Sequence, residues 1–233
     1  MKWGLFISSA LLAGLLFTSC KKNNTNNPTN NTQPQFGYQI KASNTSSTIG
    51  QKGTANAVIN WTSGFAYPRK VVFEAKQNNL SVEFTSTSDD QIDLMASIAA
   101  TFGNFTLPAG TYDEVELKID LDKKANDPAM ELDGTFTNNA TSFPVSVRID
   151  NSVELKTESE NVTITNDSSY IAVTSLDLSA ITSGITETML LNAQLTNGTI
   201  VISSNSNVLL YHTILNNLGN RHHHCEIEHH HGH

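Results

Sequence analysis

The chain has 233 residues, of which 38% are hydrophobic and 15% are charged, and its formal net charge is −8 at pH 7. Uncharged polar residues fill the difference, with 25 Asn, 26 Thr and 23 Ser. This composition is typical of an extracytoplasmic β-protein and excludes a coiled coil or a polytopic membrane protein. Because 14 Lys and Arg stand against 22 Asp and Glu, the surface would repel a phosphate backbone, and we expect no nucleic-acid partner.

The first 20 residues have the organisation of an export signal. Lys2 supplies a positive charge, and residues 5–17 form an apolar run that is shorter than the roughly 20 residues needed to span a membrane. The run ends in Phe-Thr-Ser-Cys at residues 17–20, which resembles the lipobox of bacterial lipoproteins. The resemblance implies that residues 1–19 are removed and that Cys20 carries a lipid. The lipid would anchor the protein to a membrane of the cell envelope, with the outer membrane favoured. The alternative is an ordinary secretory signal that happens to contain Cys20.

Residues 20–35 form a polar segment between this anchor and the first predicted strand. After Cys20 the segment contains no apolar residue able to join a core, so it cannot offset the entropy of ordering it. We expect a disordered spacer with an r.m.s. length of about 20 Å. If Cys20 carries the lipid, Cys225 has no partner for an intramolecular disulfide, and residues 36–218 must fold around their core alone.

Residues 36–218 show the alternation of apolar and polar residues that predicts β-strands. In the clearest run, residues 112–121, the apolar side chains from Val115 to Leu121 fall on one face and the charged ones on the other. Such one-sided burial is typical of antiparallel sheets. The other predicted strands lie near residues 36–43, 56–66, 71–75, 80–84, 129–137, 143–149, 153–157, 161–165 and 169–176.

Turn and helix signals complete this pattern. Asn197-Gly198 predicts a hairpin turn, and Pro144 predicts an edge strand or the start of a strand. Residues 183–193 are predicted to form short helical turns. Residues 205–218 are predicted to form a helix, with Gly219 in the left-handed conformation just beyond its end. Together these signals predict an all-β fold, a single antiparallel β-sandwich with a short C-terminal helix.

A motif at the start of the clearest strand resembles a known family. Residues 107–112 read Leu-Pro-Ala-Gly-Thr-Tyr, and Pro108, Ala109, Gly110 and Tyr112 match the motif of uncharacterised bacterial lipoproteins with a transthyretin-like or immunoglobulin-like β-sandwich. The resemblance covers residues 57–180 approximately and implies that this turn feeds a core strand. It implies no activity, because the family has no agreed function and sandwiches host many functions.

The C-terminal segment, residues 219–233, is rich in side chains that bind metals. Seven of the eight His lie in the last twelve residues, together with one Cys and two Glu. Imidazole, thiolate and carboxylate groups are ligands of Zn²⁺, and Cu²⁺ and Ni²⁺ would bind similar sets. Both a helical and an extended segment would group several donors, so the sequence predicts a capacity for metal and leaves the geometry open. The candidate ligands are His222, His223, His224, Cys225, Glu226, Glu228, His229, His230, His231 and His233.

Three other interpretations of this segment stay open. An expression tag would be an unbroken run of His, whereas this one is interrupted by Cys-Glu-Ile-Glu. The segment could also be a solvated low-complexity tail without a function, or Cys225 could be a free thiol. A catalytic metal is disfavoured, because it needs a shaped pocket with an open coordination position.

Two other features of the sequence, a cluster of acidic residues and Trp61, have structural interpretations. The acidic residues between Asp120 and Asp133 are dense enough for a Ca²⁺ site, but a solvated loop explains them better because two Lys interrupt them. Trp61 could stack on a sugar from an exposed strand face, but with so few aromatic residues in the chain we expect it in the core.

These features predict a lipid-anchored, non-enzymatic binding protein of the cell envelope. No nucleophile, zinc-protease or nucleotide-binding motif occurs in the chain. We expect the His-rich segment to bind Zn²⁺, Cu²⁺ or Ni²⁺, with no metal required for the fold. The alternative is a structural or interaction lipoprotein whose β-sandwich binds a protein or a glycan and whose tail is incidental.

Overall fold

The structure is a computed structural model that describes residues 33–50, 57–78, 80–139, 141–166, 168–220 and 224–230. Most of these residues lie in strands, and three short helices lie near the C-terminal end. The strands are β1 (Gln35–Ser43), β2 (Ser46–Ile49), β3 (Ala57–Ala66), β4 (Pro68–Gln77), β5 (Leu80–Thr87), β6 (Ile92–Asp93), β7 (Phe102–Thr106), β8 (Gly110–Leu121), β9 (Met130–Asn138), β10 (Thr141–Ile149), β11 (Val153–Ile164), β12 (Ser169–Asp177), β13 (Leu195–Thr196), β14 (Thr199–Ile202) and β15 (His224–His230). The helices are α1 (Leu178–Ile181), α2 (Glu187–Leu191) and α3 (Val208–Asn220).

The strands form three sheets. Sheet A has the order β15-β12-β1-β7, and sheet C has the order β11-β8-β4-β5. Sheet B has the order β13-β14-β10-β9-β3-β2, with β6 also paired to β3. The predicted all-β sandwich with a short C-terminal helix is confirmed. Two pairs depart from the antiparallel pattern, because β1 with β12 and β10 with β14 are parallel. Such pairs join strands that are distant along the chain, and local alternation carries no signal for them.

Strand β8 is the strand that the clearest alternation predicted. It pairs with β4 on one side and with β11 on the other, and its apolar residues from Val115 to Leu121 are buried. The turn before it contains the buried Leu107, and the hydroxyl of Tyr112 donates a hydrogen bond to the carbonyl oxygen of Pro108 at 2.7 Å. The Pro-Ala-Gly turn therefore leads into a strand with a buried face.

An aromatic cluster joins sheet A to sheet C in the core. The ring of Phe36 on β1 stacks on Tyr170 of β12 at a centroid distance of 4.9 Å and on Phe105 of β7 at 5.0 Å. Phe73 of β4, in sheet C, lies 4.5 Å from Phe105 and 5.7 Å from Phe36. Since these rings come from two sheets, their packing holds the sheets face to face.

The hairpin predicted at Asn197-Gly198 is confirmed. Both residues have positive φ, 50° and 84°, and they connect β13 to β14. These are the φ signs that a type I′ turn requires, and Asn and Gly tolerate them best. The residues predicted as two strands, 153–157 and 161–165, form the single strand β11.

The boundaries predicted around Pro144 and Gly219 need correction. Strand β10 is internal to sheet B, although its pairing with β14 begins only at Val145, so Pro144 lies outside that ladder. Helix α3 runs through Gly219 to Asn220, and Gly219 does not have a positive φ. The prediction of a left-handed Gly219 is therefore wrong, because glycine permits that conformation without requiring it.

Candidate functional site

Strand β15 places the middle of the His-rich segment on the edge of sheet A. It pairs antiparallel with β12 along its whole length. Ile227, at its centre, is half-buried and packs against the core, whereas Glu226 and Glu228 on either side are exposed. This alternation follows from the two-residue period of a strand. An apolar side chain thus anchors the segment while its acidic neighbours face solvent.

Six of the ten predicted metal ligands lie in β15, so of the two geometries left open the extended one is found. Because consecutive residues of a strand alternate between its faces, the six divide into two sets. Four occupy the alternate positions of β15 that include the two exposed glutamates: His224, Glu226, Glu228 and His230. Two occupy the alternate positions that include Ile227: Cys225 and His229. The remaining four lie outside the described residues: His222, His223, His231 and His233.

An ion pair ties β15 to the interior of sheet A. The Nζ atom of Lys41 on β1 lies 3.6 Å from the Oε1 atom of Glu228, although β12 lies between the two strands. Both side chains are partly exposed, at 39% and 44%. Sequence reasoning missed Lys41, because only the order of strands in the sheet brings residue 41 near residue 228.

The ladder between β12 and β15 also contains a buried hydroxyl that makes no hydrogen bond with the described residues. Thr174, opposite Cys225, is fully buried, and its Oγ1 atom has no hydrogen-bond partner in the described part of the chain. Thr157 on β11 is equally buried, but its hydroxyl donates to the carbonyl oxygen of Leu117 at 3.3 Å. The two residues form a matched pair that differs in hydrogen bonding.

We expect Thr174→Val to raise the free energy of unfolding by about 1 kcal/mol, because the change removes a desolvated hydroxyl whose burial is not compensated by a hydrogen bond to the described residues. Thr157→Val should lower it by about 1 kcal/mol, because that change breaks a hydrogen bond. Urea unfolding of both variants measures the difference. Equal effects of the two substitutions would contradict the assignment of Thr174 as unsatisfied.

A second group of potential ligands lies on the outer face of sheet C. Oxygen atoms of Glu114 and Glu116 on β8 and of Glu158 on β11 lie within 4.8 Å of one another. The alternation of β8 predicted that its charges face outward, but the approach of Glu158 follows from the pairing register, which sets it opposite Glu116. Three carboxylates at this distance could in principle hold a cation.

Lysine side chains already neutralise these carboxylates. Lys118 and Lys156 both pair with Glu116, and Lys156 also pairs with Glu158. Lys76 of β4 lies 2.7 Å from Glu114. Burial alone would raise the pKa of Glu116, but hydrogen bonds and charges from Lys118 and Lys156 lower it to about 2. We therefore interpret this group as a network of ion pairs that stabilises the sheet.

Trp61 lies in the core as expected, whereas the acidic stretch is only partly a loop, because Asp120 lies in β8 and Glu131 and Asp133 lie in β9. Trp61 is buried, and its Nε1 atom donates a hydrogen bond to the hydroxyl of Ser47 at 3.1 Å. In the acidic stretch, Asp127 accepts a hydrogen bond from Tyr67, whereas Glu131 pairs with Arg148. Within the described ranges, the acids of this stretch do not converge on a common point.

The predicted lipidation site, Cys20, and the spacer lie outside the described residues, which begin at residue 33. Among the helices that the structure describes, none combines the length and the apolar character needed to cross a membrane. Comparison of the chain with family models, with curated proteins and with solved structures finds no match.

Proposed function

We propose that this protein is a non-enzymatic binding protein of the cell envelope, anchored by a lipid on Cys20, which binds Zn²⁺, Cu²⁺ or Ni²⁺ through its His-rich C-terminal segment. One observation carries the proposal. The middle of that segment is a strand held on sheet A by Ile227. The exposed Glu226 and Glu228 occupy the same set of alternate positions as His224 and His230.

The spacing along β15 suits chelation of a metal ion. Residues two apart in a strand are about 6.6 Å apart along the chain and lie on the same face. His224 with Glu226, and Glu228 with His230, are two such pairs, each combining an imidazole with a carboxylate. Nitrogen and oxygen ligands of this kind suit Zn²⁺, Cu²⁺ and Ni²⁺. The residues that flank β15 in the sequence include four more potential ligands: His222, His223, His231 and His233.

Calorimetric titration of Zn²⁺ and Cu²⁺ into residues 21–233 tests this proposal. We expect micromolar or tighter binding at pH 7.5, and at least about tenfold weaker binding at pH 5, because imidazoles with a pKa near 6.5 must be neutral to bind metal. Binding should be lost in residues 21–219. It should also be lost in a full-length variant with all seven tail His changed to Gln, which retains the chain of β15.

The matched control is His212→Gln, which changes the one His outside the tail, an exposed residue on α3. This variant should bind metal as tightly as the unmodified protein. Weak binding that is equal in all four proteins, or equal affinity at pH 5 and pH 7.5, would overturn the proposal.

The alternative function, a sandwich that binds a protein or a glycan, is favoured by one surface feature. A groove of about 420 Å³ between α2 and α3 is lined by Met189, Ala193 and Leu209 among others. Leu209 is 71% exposed, and Val208, which also lines the groove, is 42% exposed. Exposed apolar side chains grouped in this way commonly mark protein contacts. If the tail binds no metal, this groove is the candidate binding site for a protein partner.

A further inference from the structure

The ion pair between Lys41 and Glu228 lies where the proposed metal site is. Glu228 is one half of the chelating pair Glu228 with His230, and the ammonium group of Lys41 is 3.6 Å from its carboxylate. A cation bound to Glu228 would have to share that carboxylate with Lys41. A role of Lys41 in regulating this site rests on the proposed function.

The position of Lys41 is set by the sheet. Lys41 pairs in register with Ser175 of β12, whereas Glu228 pairs with Ile171, so the two charged side chains meet diagonally across β12. Val173 lies between those two positions. It is fully buried, yet it is not part of the main hydrophobic core. Its register neighbours are Gln39 of β1 and Glu226 of β15, and the aliphatic stem of Lys41 must cross the same face of β12 to reach Glu228.

We propose that Lys41 is the built-in counter-ion of the metal site, occupying Glu228 in the metal-free protein and giving way when a divalent transition-metal ion binds. A dipositive ion and a lysine ammonium within a few ångströms repel each other. Lys41 therefore lowers the affinity of the site and keeps it from retaining weakly bound cations. Because the ion pair spans from β1 to β15, Lys41 also favours the docked position of the strand before metal arrives.

The test compares Zn²⁺ binding to Lys41→Met and to Lys123→Met by calorimetry at low ionic strength. Methionine keeps an unbranched stem and removes the charge. Lys123 is exposed and lies in the loop between β8 and β9, so Lys123→Met makes the same change in net charge on a different part of the chain from β15. We expect Lys41→Met to bind Zn²⁺ about three- to tenfold more tightly than Lys123→Met, with the difference shrinking at high salt.

A double-mutant comparison shows whether the effect acts through Glu228. In a Glu228→Gln background, Lys41→Met should no longer change the affinity. If Lys41→Met and Lys123→Met bind equally, while the His→Gln variant of the tail loses binding, the role of Lys41 is overturned and the proposed function stands. If the unmodified protein itself does not bind Zn²⁺ above the level of the His→Gln variant, both proposals fall.

Discussion

Replacing Phe73 by Ala is expected to lower the free energy of unfolding by about 3–5 kcal/mol. Phe73 is fully buried, and its ring lies within 4.5–6.5 Å of the rings of Phe36, Tyr38 and Phe105. The substitution removes the apolar surface that the ring buries and leaves a cavity between sheet A and sheet C. The chain offers no intramolecular disulfide if Cys20 is lipidated, so nothing covalent compensates for this loss.

Urea unfolding followed by fluorescence of Trp61 measures the effect, since Trp61 is buried in sheet B. Ile98→Ala is the control, because Ile98 is 84% exposed and its truncation should change the free energy of unfolding by less than about 0.5 kcal/mol. If Phe73→Ala does not fold, Phe73→Leu should still show a loss of about 1–2 kcal/mol. An unchanged midpoint for either Phe73 variant would contradict the assigned role of the aromatic cluster.

Replacing Glu116 by Gln is expected to lower the free energy of unfolding by about 2 kcal/mol at pH 7. Glu116 is nearly buried on the outer face of sheet C and pairs with Lys118 and Lys156. These two lysines are directly opposite each other in the pairing of β8 with β11. Without the carboxylate between them, their like charges repel across the sheet.

The effect of Glu116→Gln on the free energy of unfolding should depend on pH, in a direction set by the lowered pKa of Glu116. The pKa of Glu116 is lowered from its ordinary value of 4.5 to about 2 in the folded protein. A lowered pKa stabilises the folded state fully above pH 4.5, and this contribution is lost as the pH falls toward 2. The difference in free energy of unfolding between the unmodified protein and Glu116→Gln should therefore shrink between pH 5 and pH 2. Glu160→Gln, at an exposed position on β11, is the control and should show less than about 0.5 kcal/mol of change.

The candidate metal site shows how far sequence reasoning reaches. The ten candidate ligands of the tail are visible in the chain, because a concentration of His, Cys and Glu is a property of composition. Their division into two strand faces was not visible, since residues 224–230 could have been helical or extended. Lys41 could not be found at all, because it approaches Glu228 only through the parallel pairing of β1 with β12.

The sequence by itself determined most of the longer strands, because alternation of apolar and polar residues is a local property of each strand. It did not predict the short strands β2, β6 and β7. It placed strand β8, the Asn197-Gly198 turn and the C-terminal helix within a few residues of their observed bounds. The tertiary structure decided which strands pair. That choice depends on contacts between residues far apart in the chain, such as the aromatic rings of Phe36 and Phe73. It also decided that the His-rich segment lies on sheet A, because Ile227 gains burial only where the edge of β12 is available.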